Sequence, residues 1–398
     1  MDYEMKFLNL HTLGAVLSIS TVSLYFYYHL QSSFSSRLVY GTYRGMKDPL
    51  RQDLARRIDA IVQACPELSR PRYVPTPWAA NRWLNLGLFL IKEKFDKYLR
   101  VTSYDRKILT MDDGGTVSID FVDDDTLPDT APIVIFLHTV TGSSRDTANF
   151  VRYAAAYGWR GVVFNRRGHG GLGLTSPKFN LMGDAEDTRA QVDFVTKKFP
   201  TSSYLGMVGI SAGSGLVVTY LGKEGCNTPV QAACSLCPAY DITQAFTQLA
   251  SIHPLVDSQL LSVVKNHFIS KNINILFKKS KDAVEKCFEA RNTHEFLTAH
   301  YPFAGFDSEE QYFASNNPME WVETIARPLM LVNSEDDMVC LPQNIQEDVI
   351  RGLGGALLLR TSHGSHIAFN EGAFGTGSYL ARITMEFLET ARLTENVK

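Results

Sequence analysis

The chain has 398 residues, 45% of them hydrophobic and 20% charged, with a formal net charge of −3. That is enough apolar sequence for one large core, a single domain of roughly 250 to 300 residues plus extensions. There is no basic run and no interleaving of aromatic with basic residues, which excludes nucleic acid as a partner.

The N-terminus departs from this composition. From Phe7 to Ser36 there is no Asp, Glu, Lys or Arg, and Tyr25, Phe26, Tyr27 and Tyr28 bunch at one end of the apolar stretch Leu13 to Leu30. A segment of that length crosses a bilayer and sets its aromatic cluster at the interface. Residues 7–30 therefore read as a transmembrane anchor. A secretory signal is the rival, with a cleavage site among residues 32–36, but its apolar region is usually shorter. The expected localisation is a single-pass membrane, with the endoplasmic reticulum as the candidate organelle. Lys6 stands against Arg37, Arg44 and Lys47 on the other side, a slight basic excess that favours the cytosol for the remainder of the chain by the positive-inside rule, with a lumenal or external side as the alternative. No Asn-x-Ser/Thr sequon occurs, in agreement with the cytosol.

Further along, Pro132-Ile133-Val134-Ile135-Phe136-Leu137 reads as a strand that opens into the loop His138-Thr139-Val140-Thr141-Gly142. The strand Gly161-Val162-Val163-Phe164 precedes a glycine-rich turn, Arg167-Gly168-His169-Gly170-Gly171. That turn opens no helix, so it is not a phosphate loop. Next comes Tyr204-Leu205-Gly206-Met207-Val208, running into Gly209-Ile210-Ser211-Ala212-Gly213 and then a helix-compatible stretch of small residues. Strand, sharp turn and helix with G-x-S-x-G at the turn is the pattern of a nucleophile elbow. Cys234 and Cys237 are spaced as C-x-x-C, but they stand in the buried strand reading Ala232-Ala233-Cys234-Ser235-Leu236-Cys237 with no second pair, so packing is preferred to metal or redox chemistry. From about Asp241 to Thr324 the strand-helix alternation is interrupted, and apolar residues such as Phe246, Leu249, Leu260 and Val264 recur at helical spacing. This insertion, about 241–324, is the expected lid, whose apolar stripe either packs on the core or in part lines a tunnel above Ser211.

A serine needs a histidine and a carboxylate to become a nucleophile. In this architecture the acid follows the serine and the histidine follows the acid. The strand Pro328-Leu329-Met330-Leu331-Val332 ends in Glu335-Asp336-Asp337-Met338-Val339, and Ala356-Leu357-Leu358-Leu359-Arg360-Thr361 opens into His363-Gly364-Ser365-His366. Both loops lie where ligand sites of parallel α/β sheets collect. Two backbone N–H groups complete the set as an oxyanion hole, one from Ala212 and one from Val140, with Thr139 as the alternative.

Several stretches carry a family resemblance. They include Tyr73-Val74-Pro75-Thr76-Pro77-Trp78, Asp113-Gly114-Gly115, Thr141-Gly142-Ser143, Phe164-Asn165-Arg166-Arg167-Gly168 and His366-Ile367-Ala368-Phe369-Asn370-Glu371-Gly372. On these the chain resembles the membrane-anchored α/β-hydrolase-domain lipase and esterase family that includes the mammalian alpha/beta-hydrolase domain proteins one, two and three, bacterial YheT-type esterases and yeast medium-chain ethyl ester synthases. Thr139, where relatives have glycine, and Ala212, where they often have methionine, are departures.

The resemblance implies an α/β-hydrolase fold over residues 101–392, a mostly parallel sheet flanked by helices, preceded by an N-terminal extension over 31–100. It maps the nucleophile onto Ser211, the histidine onto His366 and the acid onto the pair Asp336 and Asp337. The apolar pair Met338-Val339 fits the pattern of related hydrolases best if Asp337 is the acid, and His363 then stands three residues too early. The activity implied is cleavage of lipid carboxylic esters, such as monoacylglycerols, medium-chain acyl esters or phospholipids, with no metal or organic cofactor. Acyl transfer to an alcohol, or a catalytically silent lipid receptor, are the alternatives.

Overall fold

The computed structural model describes residues 34–44, 46–99, 102–122 and 126–395. The anchor expected at 7–30 lies outside the described residues, and among these no helix is long and apolar enough to cross a membrane.

Nine strands form one sheet: β1 Ser36–Tyr40, β2 Tyr104–Thr110, β3 Thr116–Val122, β4 Ile133–Leu137, β5 Arg160–Asn165, β6 Leu205–Ile210, β7 Ala232–Leu236, β8 Leu329–Ser334 and β9 Ala356–Thr361. Their order across the sheet is β1-β9-β8-β7-β6-β4-β5-β3-β2. The six strands from β5 to β9 in that order run parallel, and β1, with the hairpin β2-β3, closes the two edges antiparallel. Every residue of β4, β5, β6, β7 and β8 is buried, because helices cover both faces of a parallel sheet.

Alternate residues divide between the two faces. Val134 and Phe136 pack with the helices Pro49–Ala64, Ala148–Ala156 and Tyr379–Thr394. Ile133, Ile135 and Leu137 pack with Ala185–Lys198, Ala212–Glu224 and Glu347–Leu353. Each loop leaving the C-terminal end of a parallel strand therefore faces the same side of the sheet.

The segment read as an extension also joins the sheet. β1 pairs with β9 in the register Ser36↔Thr361 to Tyr40↔Leu357, and Val39 is buried. Behind it, Asp48 caps the helix Pro49–Ala64 by accepting the Leu50 N–H at 2.9 Å, and Ile58 and Ile61 enter the core beside the C-terminal helix. A further helix, Arg82–Leu99, is tied to the body by Lys92, whose ammonium donates to Asn370 Oδ1 and to the Gly377 carbonyl.

Between β7 and β8 the chain forms the helices Ile242–Ile252, Pro254–Val264, Lys281–Glu289, Thr293–Ala304 and Glu309–Asn316. They pack in a separate core with the segment before the helix Ala185–Lys198, whose Phe179 stacks between Phe268 and Phe303.

Candidate active site

Ser211 sits between β6 and the helix Ala212–Glu224 with φ +54° and ψ −115°, a region that non-glycine residues rarely occupy. The strain is held on both sides: the Ser211 N–H donates to the Leu236 carbonyl at 2.9 Å, and the Ser211 carbonyl accepts the Ser214 N–H at 2.8 Å. The flanking glycines are required by space. A Cβ on Gly209 would stand 2.1 Å from the Gly213 carbonyl oxygen, and one on Gly213 would stand 2.3 Å from that of Leu137. The tight crossing of strand and helix admits only hydrogen at both positions.

Ser211 Oγ lies 2.8 Å from His366 Nε2, and His366 Nδ1 lies 2.9 Å from Asp337 Oδ2. The other oxygen of Asp337 accepts the N–H groups of Val339 and Cys340 at 2.7 and 2.9 Å. Three loops from β6, β8 and β9 thus meet with a hydroxyl, an imidazole and a buried carboxylate in line. Such a chain can withdraw the serine proton as the hydroxyl attacks an electrophile.

Asp336 points elsewhere. Its Oδ1 accepts the Ser365 N–H at 2.7 Å, while Ser334 Oγ donates to the Ser365 carbonyl at 2.7 Å. Burial pushes the Asp336 carboxyl above its ordinary range. These two side chains grip the residue before His366, in a loop where Ser365, Ile367 and Phe369 all have positive φ. His363 faces outward from this arrangement: its Nδ1 is 2.9 Å from Ser362 Oγ, and its ring packs edge-on against Phe34 at 4.9 Å.

As the first residue of its helix, Ala212 has an N–H with no intrahelical acceptor, beside Ser211 and at the positive end of the helix dipole. Val140 and Thr139 both border the cavity above Ser211. Their carbonyls are held from behind by the Arg166 guanidinium, at 2.6 Å from Thr139 and 3.2 Å from Val140, and Arg166 also donates to the Leu181 carbonyl at 3.0 Å. In a trans peptide the N–H points away from the C=O. With the Thr139 carbonyl turned to Arg166, the Val140 N–H faces the opposite side.

Arg166 is buried and meets only carbonyls, with no carboxylate in ion-pair range among the described residues, and burial pulls its guanidinium down to about 10. The neighbouring His138 and His169 are pushed well below the ordinary histidine range by burial and by that cation. The adjacent Arg167 is paired instead, chelating Asp187 at 2.6 and 2.9 Å and Asp113 at 2.6 Å, which pins the glycine-rich turn.

A cavity of about 490 Å³ opens above Ser211. One wall comes from the insertion, with Ile242, Phe246, Leu260 and Val263, and the facing wall comes from Leu86, Phe89 and Leu90 of the helix Arg82–Leu99. The lining includes Glu93 and Asp146 but no Lys or Arg. Another cavity, about 570 Å³ around Tyr104, Arg106 and Asp120, is polar and holds no paired nucleophile and base. Cys237, Asp337 and His366 are the one group of possible metal ligands among the described residues, and the imidazole and carboxylate are already engaged with each other. Burial pushes the Cys234 and Cys237 thiols well up, which keeps both protonated.

Sequence reasoning missed three contributors: the Asp336 grip on Ser365, the Arg166 guanidinium behind Thr139 and Val140, and the helix Arg82–Leu99 as a cavity wall. The helix alone left a signal, since Trp83, Leu84, Leu86, Phe89, Leu90 and Ile91 are too many apolar residues for a solvated helix.

Comparison with known proteins identifies the family. A family described as alpha/beta hydrolase fold matches residues 132–373. The chain is 26% identical over 335 residues to a protein named phospholipase ABHD3 from Bos taurus, covering 82% of this chain and 80% of that one. It is 28% identical over 257 residues to a monoacylglycerol lipase from Saccharomyces cerevisiae, covering 61% of this chain and 55% of the yeast protein. Among solved structures, the Pyrococcus furiosus esterase Pf2001 aligns with a TM-score of 0.48 at 17% identity, covering 72% of this chain and 92% of the esterase.

Proposed function

The chain belongs to the alpha/beta hydrolase fold family, within its ABHD-type lipases and esterases, and from that premise we propose that it cleaves carboxylic esters of lipids through Ser211, His366 and Asp337. The observation that carries the reading is the continuous hydrogen-bonded line from Ser211 Oγ through His366 to Asp337 at the floor of an apolar cavity.

In the proposed mechanism, His366 Nε2 takes the Ser211 proton as Oγ bonds to the acyl carbon. Asp337 holds the imidazole in the tautomer that presents a lone pair to Ser211 and balances the imidazolium that forms. The N–H groups of Ala212 and Val140 receive the negative charge on the former carbonyl oxygen. His366 returns the proton to the leaving alcohol, and water repeats the sequence to release the fatty acid and free Ser211.

The relatives' names point to glycerolipid esters. The cavity supports neutral or zwitterionic lipids over anionic ones, because its lining has no Lys or Arg to meet a bare phosphate or carboxylate. The insertion over 241–324 acts as the lid, supplying one cavity wall, and residues 7–30 act as the membrane anchor.

A fluorophosphonate probe tests the assignment: it labels the wild-type chain and not Ser211→Ala, whose ester hydrolysis falls by ~10³-fold or more. Labelling that persists in Ser211→Ala removes the serine hydrolase reading. A panel of monoacylglycerol, phosphatidylcholine and phosphatidylserine then tests the charge preference, with phosphatidylserine the poorest substrate.

A further inference from the structure

The helix Arg82–Leu99 is apolar on two sides. Leu86 and Phe89 face the cavity, whereas Trp83, Leu84, Ile91 and Phe95 are each more than half exposed. At 100° per residue these four, with Gly87 and Leu90, fall on one arc of about 140°. Gly87 has open space around it. Between Trp83 and Phe95 the one charged position on that arc is Lys94, which is exposed, and the arc carries no acid.

The patch continues beyond the helix. Trp78 is 56% exposed and donates its indole N–H to the Ala373 carbonyl at 3.0 Å, next to Phe374, which is 83% exposed. Across the cavity mouth Leu255 is 82% exposed, on a helix whose Val256 and Leu260 line the cavity. Scattered exposed apolar residues are ordinary, but a contiguous set around the mouth of an apolar cavity marks an interaction surface.

What covers it follows from where the chain enters. The uncharged run from Phe7 to Ser36 reaches the described residues at Phe34, whose ring packs on His363, and the Ser35 N–H donates to Ser362 Oγ at 3.0 Å. That is the C-terminal end of β9, the end that carries His366 and opens into the cavity. The described chain therefore begins, at Phe34, at the same end of the sheet as the loop that carries His366.

We propose that this rim docks on the bilayer surface. The helix Arg82–Leu99 lies in the interfacial plane with Trp83 and Ile91 turned into the lipid, as amphipathic interfacial helices do. The cavity mouth between it and the helix Pro254–Val264 opens to the leaflet, so a lipid ester reaches Ser211 without crossing water. The docking geometry stands apart from the chemistry assigned above.

The full chain in phosphatidylcholine vesicles brominated midway along one acyl chain tests it, because bromine quenches only indoles within the bilayer. Expected is loss of emission from Trp78 and Trp83, equal in the Ser211→Ala chain, and no quenching in the Trp78→Phe/Trp83→Phe double variant. Tryptophans that stay unquenched, as they would if residues 1–33 or a second copy covered the rim, overturn the proposal, and so does quenching that survives the double variant. In parallel, Ile91→Glu/Phe95→Glu lowers hydrolysis of a vesicle-embedded ester by about ten-fold and leaves a water-soluble short-chain ester unchanged. Equal loss on both esters, or on neither, counts against docking, whereas inactivity of every chain on both esters with quenching intact counts against the hydrolase reading alone.

Discussion

Asp336 and Ser365 are joined across 29 residues of sequence by a 2.7 Å hydrogen bond from the Ser365 N–H to Asp336 Oδ1. The carboxylate one residue later reaches His366 itself. Adjacent aspartates at the end of β8 thus hold one loop in two ways, Asp336 by its backbone and Asp337 by its imidazole.

The two are separable by substitution. Asp337→Asn loses ~10³- to 10⁴-fold in kcat, because an amide can fix the wrong tautomer and cannot balance an imidazolium. Asp336→Asn keeps an oxygen for the Ser365 N–H and retains most of kcat, whereas Asp336→Ala frees the strained loop and falls between them. Steady-state kinetics on folded variants decide it, and an Asp336→Asn chain deader than Asp337→Asn reverses the assignment.

Arg166 is expected to act on the transition state through the loop it holds. Arg166→Met removes the three hydrogen bonds to Leu181, Thr139 and Val140 and a buried positive charge behind the loop proposed to supply the Val140 N–H. A loss of ~10²-fold in kcat with KM little changed is expected. A trifluoromethyl ketone, which forms a charged adduct with serine, should lose affinity in this variant while the uncharged methyl ketone does not. Equal losses for both ketones would show a general collapse of the cavity.

Buried histidines contribute to acid lability. Burial pulls His267 and His300 down to about 4, and lowers His138 and His169 in the same direction. An unfolded histidine takes its proton near pH 6.5, so between pH 6.5 and 4 the unfolded chain binds more protons than the folded one. The stability linked to these groups is complete above pH 6.5 and is lost as pH falls, by about 1.4 kcal/mol per pH unit for each histidine in that window. Thermal melts at pH 7, 6 and 5 should fall steeply. His300→Gln can keep the bonds to the Leu297 carbonyl and the Leu181 N–H, and should flatten that slope by about one proton. A melting temperature constant over this range contradicts the account.

β1 makes the position of an N-terminal truncation critical. Deleting residues 1–33 leaves the β1-β9 ladder whole, and activity on a soluble ester should persist. Deleting residues 1–41 removes the ladder and buried Val39 and exposes the β9 edge. The second protein should melt ~5 to 10 °C lower and aggregate, as differential scanning and light scattering would register; identical melts for the two would make β1 dispensable.

Much of this architecture is legible in the sequence, because a strand buried on both faces appears as an unbroken apolar run and G-x-S-x-G marks its own turn. The loops carrying Asp337 and His366 are readable for the same reason, as the polar ends of the runs 328–332 and 356–361. What is not legible depends on partners distant in sequence. β1 is five ordinary residues until β9 is beside it. Asp336 and Asp337 differ only in where a loop turns them, and nothing local distinguishes buried Arg166 from Arg167, which found two carboxylates.

The contact between Ser35 and Ser362 spans 327 positions of the chain. During synthesis at ~5 to 20 residues per second, β1 emerges roughly 15 to 60 seconds before its partner strand exists. In that interval its N–H and C=O groups are unpaired, and the loop that will carry His366 has not yet left the ribosome. His366 is thus among the last parts of the molecule to be made, and the first described strand can pair only once β9, just ahead of that histidine, has emerged. Nascent chains stopped short of β9 are predicted to hold an assembled elbow with no base to activate it, so the ester bond is safe from Ser211 until the sheet is closed.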